Sequence, residues 1–219
     1  MAGKKKISRK ELLKKPDEFI TISTRSLNWV KDNYQKVIWI GSGFVLILVL
    51  FFGYSAYRNR QEKVSHEKYF SSLEVLDPDQ KLKKLEEIIK DYPKTKAAYT
   101  ALVTAGHLYF QKKDFPRAVY AYQLALNKGE FPPAFKTLIQ GNLAYAYEQK
   151  GDLKQAAKAF SEIAQSNENL LKEDSLINLA RVYQKMGKKA EAKATYQTFL
   201  KSFPQSIYAK VVKDRLAGL

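Results

Sequence analysis

The chain has 219 residues, 45% of them apolar and 27% charged, with 38 Lys and Arg against 22 Asp and Glu, a formal net charge of +16, and no cysteine. So apolar a composition excludes a wholly disordered chain, and the missing cysteines exclude a disulfide scaffold, a thiolate metal site, a cysteine nucleophile and an acylated lipoprotein cysteine. The positive excess suits anionic partners such as lipid headgroups or nucleic acid, so composition points to an interaction protein ahead of an enzyme.

Residues 1–36 form a basic tail with ten Lys and Arg against four acids, net +6. Ser8 and Glu11 have the spacing of a capping box, and Pro16 followed by Asp17 and Glu18 predicts a helix start with acids at its positive end. From there Phe19, Ile20, Leu27, Val30, Tyr34 and Val37 fall roughly on one helical face. Such a face suits a membrane surface, with the basic residues drawn to anionic lipid. A basic topology signal with loosely formed helices and no partner explains the same residues equally well.

Residues 37–57, VIWIGSGFVLILVLFFGYSAY, carry no charge. At a rise of ~1.5 Å per residue they span about 31 Å, the thickness of a hydrocarbon core. Lys36 closes the stretch on one side and Arg58 and Arg60 on the other, while Trp39, Tyr54 and Tyr57 stand where amphipathic rings meet headgroups. The pattern predicts a transmembrane helix. A buried core helix rarely stays uncharged on every face for so many turns. Gly53 and Ser55 offer small residues for a signal cleavage site, but the length of the stretch and the 36 residues before it exceed a normal signal sequence, so an uncleaved helix is expected. No glycine in it forms a Gly-x-x-x-Gly pair. Charge close to the two membrane ends is nearly balanced. The short basic tail is the side that obeys the positive-inside rule, which places the amino terminus in the cytoplasm and residues 58–219 outside.

Beyond Tyr57 the chain is polar and helical in period, and it repeats. Ala105-Gly106-x-x-Tyr109 is followed by Asp114-Phe115, Ala118, Tyr122 and Ala125. The second copy has Leu143-Ala144-x-x-Tyr147, Gly151-Asp152, Ala156, Phe160 and Ile163, and the third Leu179-Ala180-x-x-Tyr183, Gly187, Ala192, Tyr196 and Phe199. The anchor alanines Ala118, Ala156 and Ala192 are 38 and 36 residues apart. This resembles the tetratricopeptide repeat, a helix-turn-helix unit of about 34 residues that stacks into a solenoid. Small residues of the first helix (Gly106, Ala144, Ala180) are expected to face small residues of the second (Ala118, Ala156, Ala192), with the aromatics filling the space between units. The repeats cover about 97–132, 137–170 and 173–206. Residues 59–93 read as a degenerate earlier unit, with Leu82, Leu85, Ile88 and Ile89 as an apolar face and Tyr92-Pro93 as a stop. Its first helix runs on from the membrane through His66, Tyr69 and Phe70. Ile207, Val211, Val212 and Leu216 predict a closing helix over 206–217. The fold class is all-α, one transmembrane helix followed by a tetratricopeptide-repeat α-solenoid.

No catalytic constellation, phosphate-cradling loop or metal-ligand spacing stands out, and the two histidines, His66 and His107, cannot alone enclose a zinc ion, so neither an enzyme nor a cofactor is expected. In the repeat family the first helices line a concave face that selects extended peptides or partner helices. The resemblance implies Val103, His107 and Phe110 in the first unit, Asn142, Tyr145 and Glu148 in the second, and Ile177, Arg181 and Gln184 in the third as partner-binding positions. They lack the Lys and Asn set that clamps a terminal carboxylate in some members. Net charge over residues 58–219 is +10, scattered in runs such as Lys81, Lys83 and Lys84. No nucleic-acid fold accompanies it, so nucleic acid is not an expected partner.

A basic tail, one membrane helix and an outward repeat domain together resemble the YfgM-like ancillary subunits of the bacterial Sec translocon. That resemblance implies an inner-membrane protein associated with SecYEG and a membrane-anchored prolyl isomerase. Its periplasmic repeats would help exported client proteins reach periplasmic chaperones. A basic adaptor for an anionic lipid or polymer, and a cell-envelope assembly protein, are the other readings the same features allow.

Overall fold

The computed structural model describes residues 18–166 and 171–219, with side chains from Ser23 onward. The expectations for Ser8, Glu11, Pro16 and Asp17, for the side chains of Phe19 and Ile20, and for residues 167–170 at the end of the second repeat lie outside the described residues. The described residues contain helices and no strand. The chain divides into two compact units, Met1–Arg58 and Asn59–Leu219.

In the first unit α1 (Glu18–Asp32) is followed by the opening part of α2 (Tyr34–Leu73). Among the apolar residues of this part, Trp39 is 78% exposed and Phe52 65%, and no residue of the most apolar 18-residue window is buried. A helix in water hides an apolar stripe; this one hides none.

The second unit contains the remainder of α2, then α3 (Pro78–Asp91), α4 (Lys96–Gln111), α5 (Phe115–Lys128), α6 (Pro133–Lys150), α7 (Leu153–Gln165), α8 (Lys172–Lys185), α9 (Lys189–Ser202) and α10 (Ala209–Ala217). Their starts follow from local chemistry. Asp77 accepts from the Gln80 amide at 2.8 Å and Pro78 opens α3; Thr95 accepts from the Ala98 amide at 3.2 Å. Asp114 and Asp152 accept from the amides of Arg117 and Gln155 at 3.1 and 3.3 Å. Glu62 of α2 adds a carboxylate at the α4 start, taking the Lys96 amide at 3.1 Å.

The turns α4–α5, α6–α7 and α8–α9 share one geometry. Lys113, Gly151 and Gly187 have φ of 61°, 89° and 74°, and their amides donate to Phe110, Glu148 and Gln184. The next residues, Asp114, Asp152 and Lys188, share ψ 69° and donate to Tyr109, Tyr147 and Tyr183. Glycine adopts this left-handed conformation freely, so two turns suit their residue and Lys113 is strained.

Inside each pair the small residues are hidden: Ala144, Ala180, Ala118, Ala156 and Ala192 are fully buried. At Gly106 a Cβ would lie 2.8 Å from the buried Tyr122 ring, so its missing side chain lets that ring in. Leu82, Leu85 and Ile88 of α3 are buried and Ile89 half-buried. In the α2 remainder Ser65 and Ser72 are buried and the Tyr69 hydroxyl lies 3.1 Å from that of Thr104, whereas Phe70 is exposed. In the closing helix Val212 is buried, but Ile207 is 86% exposed and Val211 half-exposed. Ile207 precedes α10 in a turn, so the i, i+4 spacing that grouped it with Val211 does not act there.

Lys113→Gly should therefore stabilise the protein. Removing about 1–2 kcal/mol of left-handed strain outweighs the ~0.4–1 kcal/mol of extra chain entropy that glycine brings to the unfolded state. Thermal unfolding of the full-length chain in detergent reads this as a higher Tm, while Gly106→Ala should lower it by overpacking against Tyr122. The Asp114 carboxyl is held below the usual carboxylate range, first by the Arg117 amide and then by the Arg117 guanidinium. Its capping contribution is present above the ordinary carboxylate pKa and is lost as pH falls through the lower folded value. Asp114→Ala should accordingly cost about 1 kcal/mol at neutral pH, and the gap from the parent protein should close in acid.

Candidate partner-binding face

The nine residues marked by the sequence lie on α4, α6 and α8. On α4 Val103 is half-buried against the core, Phe110 meets the Phe115 ring edge-on at 5.5 Å, and His107 is exposed, with its Nε2 3.0 Å from the Gln111 amide nitrogen. On α6 Asn142 is exposed, and the partly exposed Tyr145 ring stands edge-on to Phe160 at 5.2 Å. Ile177 of α8 packs half-buried, and Gln184 accepts from the Tyr196 hydroxyl at 3.2 Å, tying α8 to α9.

The structure draws three of the nine into one network. Glu148 has a side chain with no exposure, yet it is fully partnered. It accepts from Arg181 Nη1 and, at 2.8 Å, Nη2, and from Lys185 Nζ at 2.7 Å. Arg181 Nη2 also donates to Asn178 Oδ1 at 2.8 Å, and Asn178 Nδ2 donates to the Tyr145 hydroxyl at 2.7 Å. Burial pushes the Tyr145 phenol up, with the Asn178 bond pulling the other way. The network fastens α6 to α8, and Glu148 has no free oxygen surface to offer a ligand.

Asn178 and Lys185 were missed in the sequence, although they stand three before and four after Arg181 and so share its helix face. Also missed were Phe135 and Leu138, 37% and 40% exposed, which with Asn142 and Tyr145 step along α6 at intervals of three, four and three. The open part of the face is therefore an apolar and aromatic row on α6, with His107 on α4. Among the described residues no group of three or more His, Cys, Asp or Glu could hold a metal ion.

The sequence pattern of the tetratricopeptide repeat-like domain matches residues 28–219. The chain belongs to that family. No curated protein matches it. Among solved structures, a tetratricopeptide repeat protein from Parabacteroides merdae is 17% identical with a TM-score of 0.57, the alignment covering 72% of this chain and 59% of that one. This repeat protein thus spans about six tenths of that relative's length. A Podosopora anserina protein with nearly identical TPR-like repeats is 15% identical, with a TM-score of 0.50 over 68% of this chain and 76% of its own. At such identities the likeness establishes the helical solenoid fold. Repeats of this kind are typically non-catalytic interaction scaffolds.

The network sets an unequal response to mutation. Arg181 and Lys185 side chains are 29% and 47% exposed and rehydrate when Glu148 is removed, whereas Glu148 cannot reach water when Arg181 is removed. Arg181→Met should cost about 2–4 kcal/mol, more than Glu148→Gln or Lys185→Met, because it removes the two-pronged partner and leaves the buried carboxylate to Lys185 alone. Urea unfolding of the three full-length variants gives the order, and equal losses would contradict the buried-carboxylate account.

Proposed function

We propose that the protein is a single-pass membrane scaffold whose repeats gather protein partners beside the bilayer. The observation that carries this is the stretch 37–57, uncharged along its length and uncovered, contiguous in sequence with a repeat unit. Apolar surface on that scale is stable in lipid and not in water. The family match begins at residue 28, ahead of the stretch, which supports its staying with the repeats in place of being removed as a signal sequence. The +6 charge of residues 1–36 supports an amino terminus in the cytoplasm and repeats outside it.

The finer reading is an ancillary subunit of the inner-membrane Sec translocon. In it the repeat unit lies in the periplasm, near SecYEG and a membrane-anchored prolyl isomerase, and helps exported proteins reach periplasmic chaperones. Its support is the order of tail, apolar helix and repeats. Tethering raises the local concentration of partners, so single contacts on the α4, α6 and α8 face need only be weak. Within that face His107, Asn142 and Tyr145 offer surface to a partner together with Phe135 and Leu138, while Val103, Phe110, Ile177, Arg181 and Gln184 shape it and Glu148 braces it.

A carboxy-terminal phosphatase fusion should be active and the matching cytosolic reporter silent; the reverse result sinks the orientation. A mature chain shortened near Ser55 would establish a cleaved signal instead. Photo-crosslinking from positions within residues 37–57 should recover translocon subunits, and recovery of lipid and unrelated proteins alone counts against the Sec reading. Leu138→Arg with Asn142→Arg should reduce co-purified partners and leave Tm unchanged.

A further inference from the structure

Every described side chain of α1 is exposed, the apolar ones included. Leu27, Trp29 and Val30 are 59%, 55% and 40% exposed. At about 100° per residue they share one half of the helix circumference with the small Ser23 and Ser26, Arg25 and Lys31 stand at its two borders, and Asn28 and Asp32 lie opposite. Arg25 and Lys31 are themselves exposed. The helix ends at Asp32 and only residues 33–36 separate it from the uncharged stretch. At this joint Asn33 donates its side-chain amide to the Trp29 carbonyl at 3.0 Å and accepts from Lys36 Nζ at 3.2 Å, a side chain competing with the helical ladder where α1 and α2 part.

We propose that α1 is a second, in-plane membrane anchor. Its Leu27, Trp29 and Val30 side seats at the boundary between headgroups and acyl chains of a bilayer containing anionic lipid, with Arg25 and Lys31 reaching the headgroup phosphates. This rests on reading residues 37–57 as a membrane span. Three observations choose lipid over a protein as occupant. The apolar side begins a few residues from the hydrocarbon, so the bilayer surface is the nearest available apolar medium. Cations border it on both edges, which matches a surface that is anionic in every direction. The net +6 of residues 1–36 adds a general attraction to the same surface. Trp29 is also the residue type that an interface favours.

The chain has two tryptophans, Trp29 and Trp39, so each segment can be read separately. Full-length protein is reconstituted into phosphatidylcholine–phosphatidylglycerol vesicles whose acyl chains carry bromine. In the Trp39→Phe variant, Trp29 should emit at shorter wavelength than in solution, lose intensity to bromolipid and resist aqueous iodide. Adding Leu27→Glu and Val30→Glu should reverse all three. Quenching of Trp29 by iodide with no effect of bromolipid overturns the proposal. Shielding from both also overturns it, since a second copy or another protein would then cover the face. In the Trp29→Phe variant, bromolipid should quench Trp39; if it does not, the spanning reading itself fails. A quenched Trp39 beside an iodide-accessible Trp29 refutes only the in-plane anchor.

Discussion

The repeat unit depends on the close approach of two helices at positions that tolerate no side chain larger than alanine. Ala118, Ala156 and Ala192 have no exposed surface, and neither have Ala144 and Ala180. Gly106 goes further, because the Tyr122 ring fills the place its Cβ would take. Such contact leaves little room for compensation, since protein interiors are packed like crystals. The approach also dictates the turn: a chain reversing so sharply needs a left-handed residue, found at Lys113, Gly151 and Gly187 with the same pair of backbone hydrogen bonds each time.

Between pairs the ties are polar as well as apolar. The Tyr109 hydroxyl donates to Glu86 of α3, Gln123 of α5 donates to the Tyr147 hydroxyl, and Ser206 donates to Glu173 of α8. Burial pushes the Tyr109 phenol up to about 12, helped by Glu86 and opposed by the Arg117 cation over its ring. The Glu148 network is the most extended of these ties. In a stack where each pair touches its neighbours, bonds between pairs carry much of the cooperativity. A carboxylate held by two cations also admits fewer registers than an apolar contact does.

The face left open for partners is what remains after those ties are made. Tyr145 and Glu148 of α6 are bonded to residues of α8, which leaves the proposed recognition to the exposed row along α6. That surface is modest, and a modest surface functions best when something else brings the partner near. An uncovered apolar helix that precedes the repeats in sequence supplies such a means in the proposed scaffold.

The three-fold recurrence of Gly or Ala, Tyr and Ala was legible in the residues because fully buried positions in a close-packed interior admit few side chains. The apolar helix was legible because freedom from charge over 21 residues needs no tertiary context to notice. The caps at Asp77, Thr95, Asp114 and Asp152 follow from local chemistry of the same kind. What the residues alone could not decide was which polar groups meet across helices. Glu148 and Arg181 are 33 positions apart, and each reads as a partner-facing position until the bonds between α6 and α8 are seen. Only the tertiary arrangement buries one of them, because burial depends on what the neighbouring helix presents, and local spacing carries no record of that.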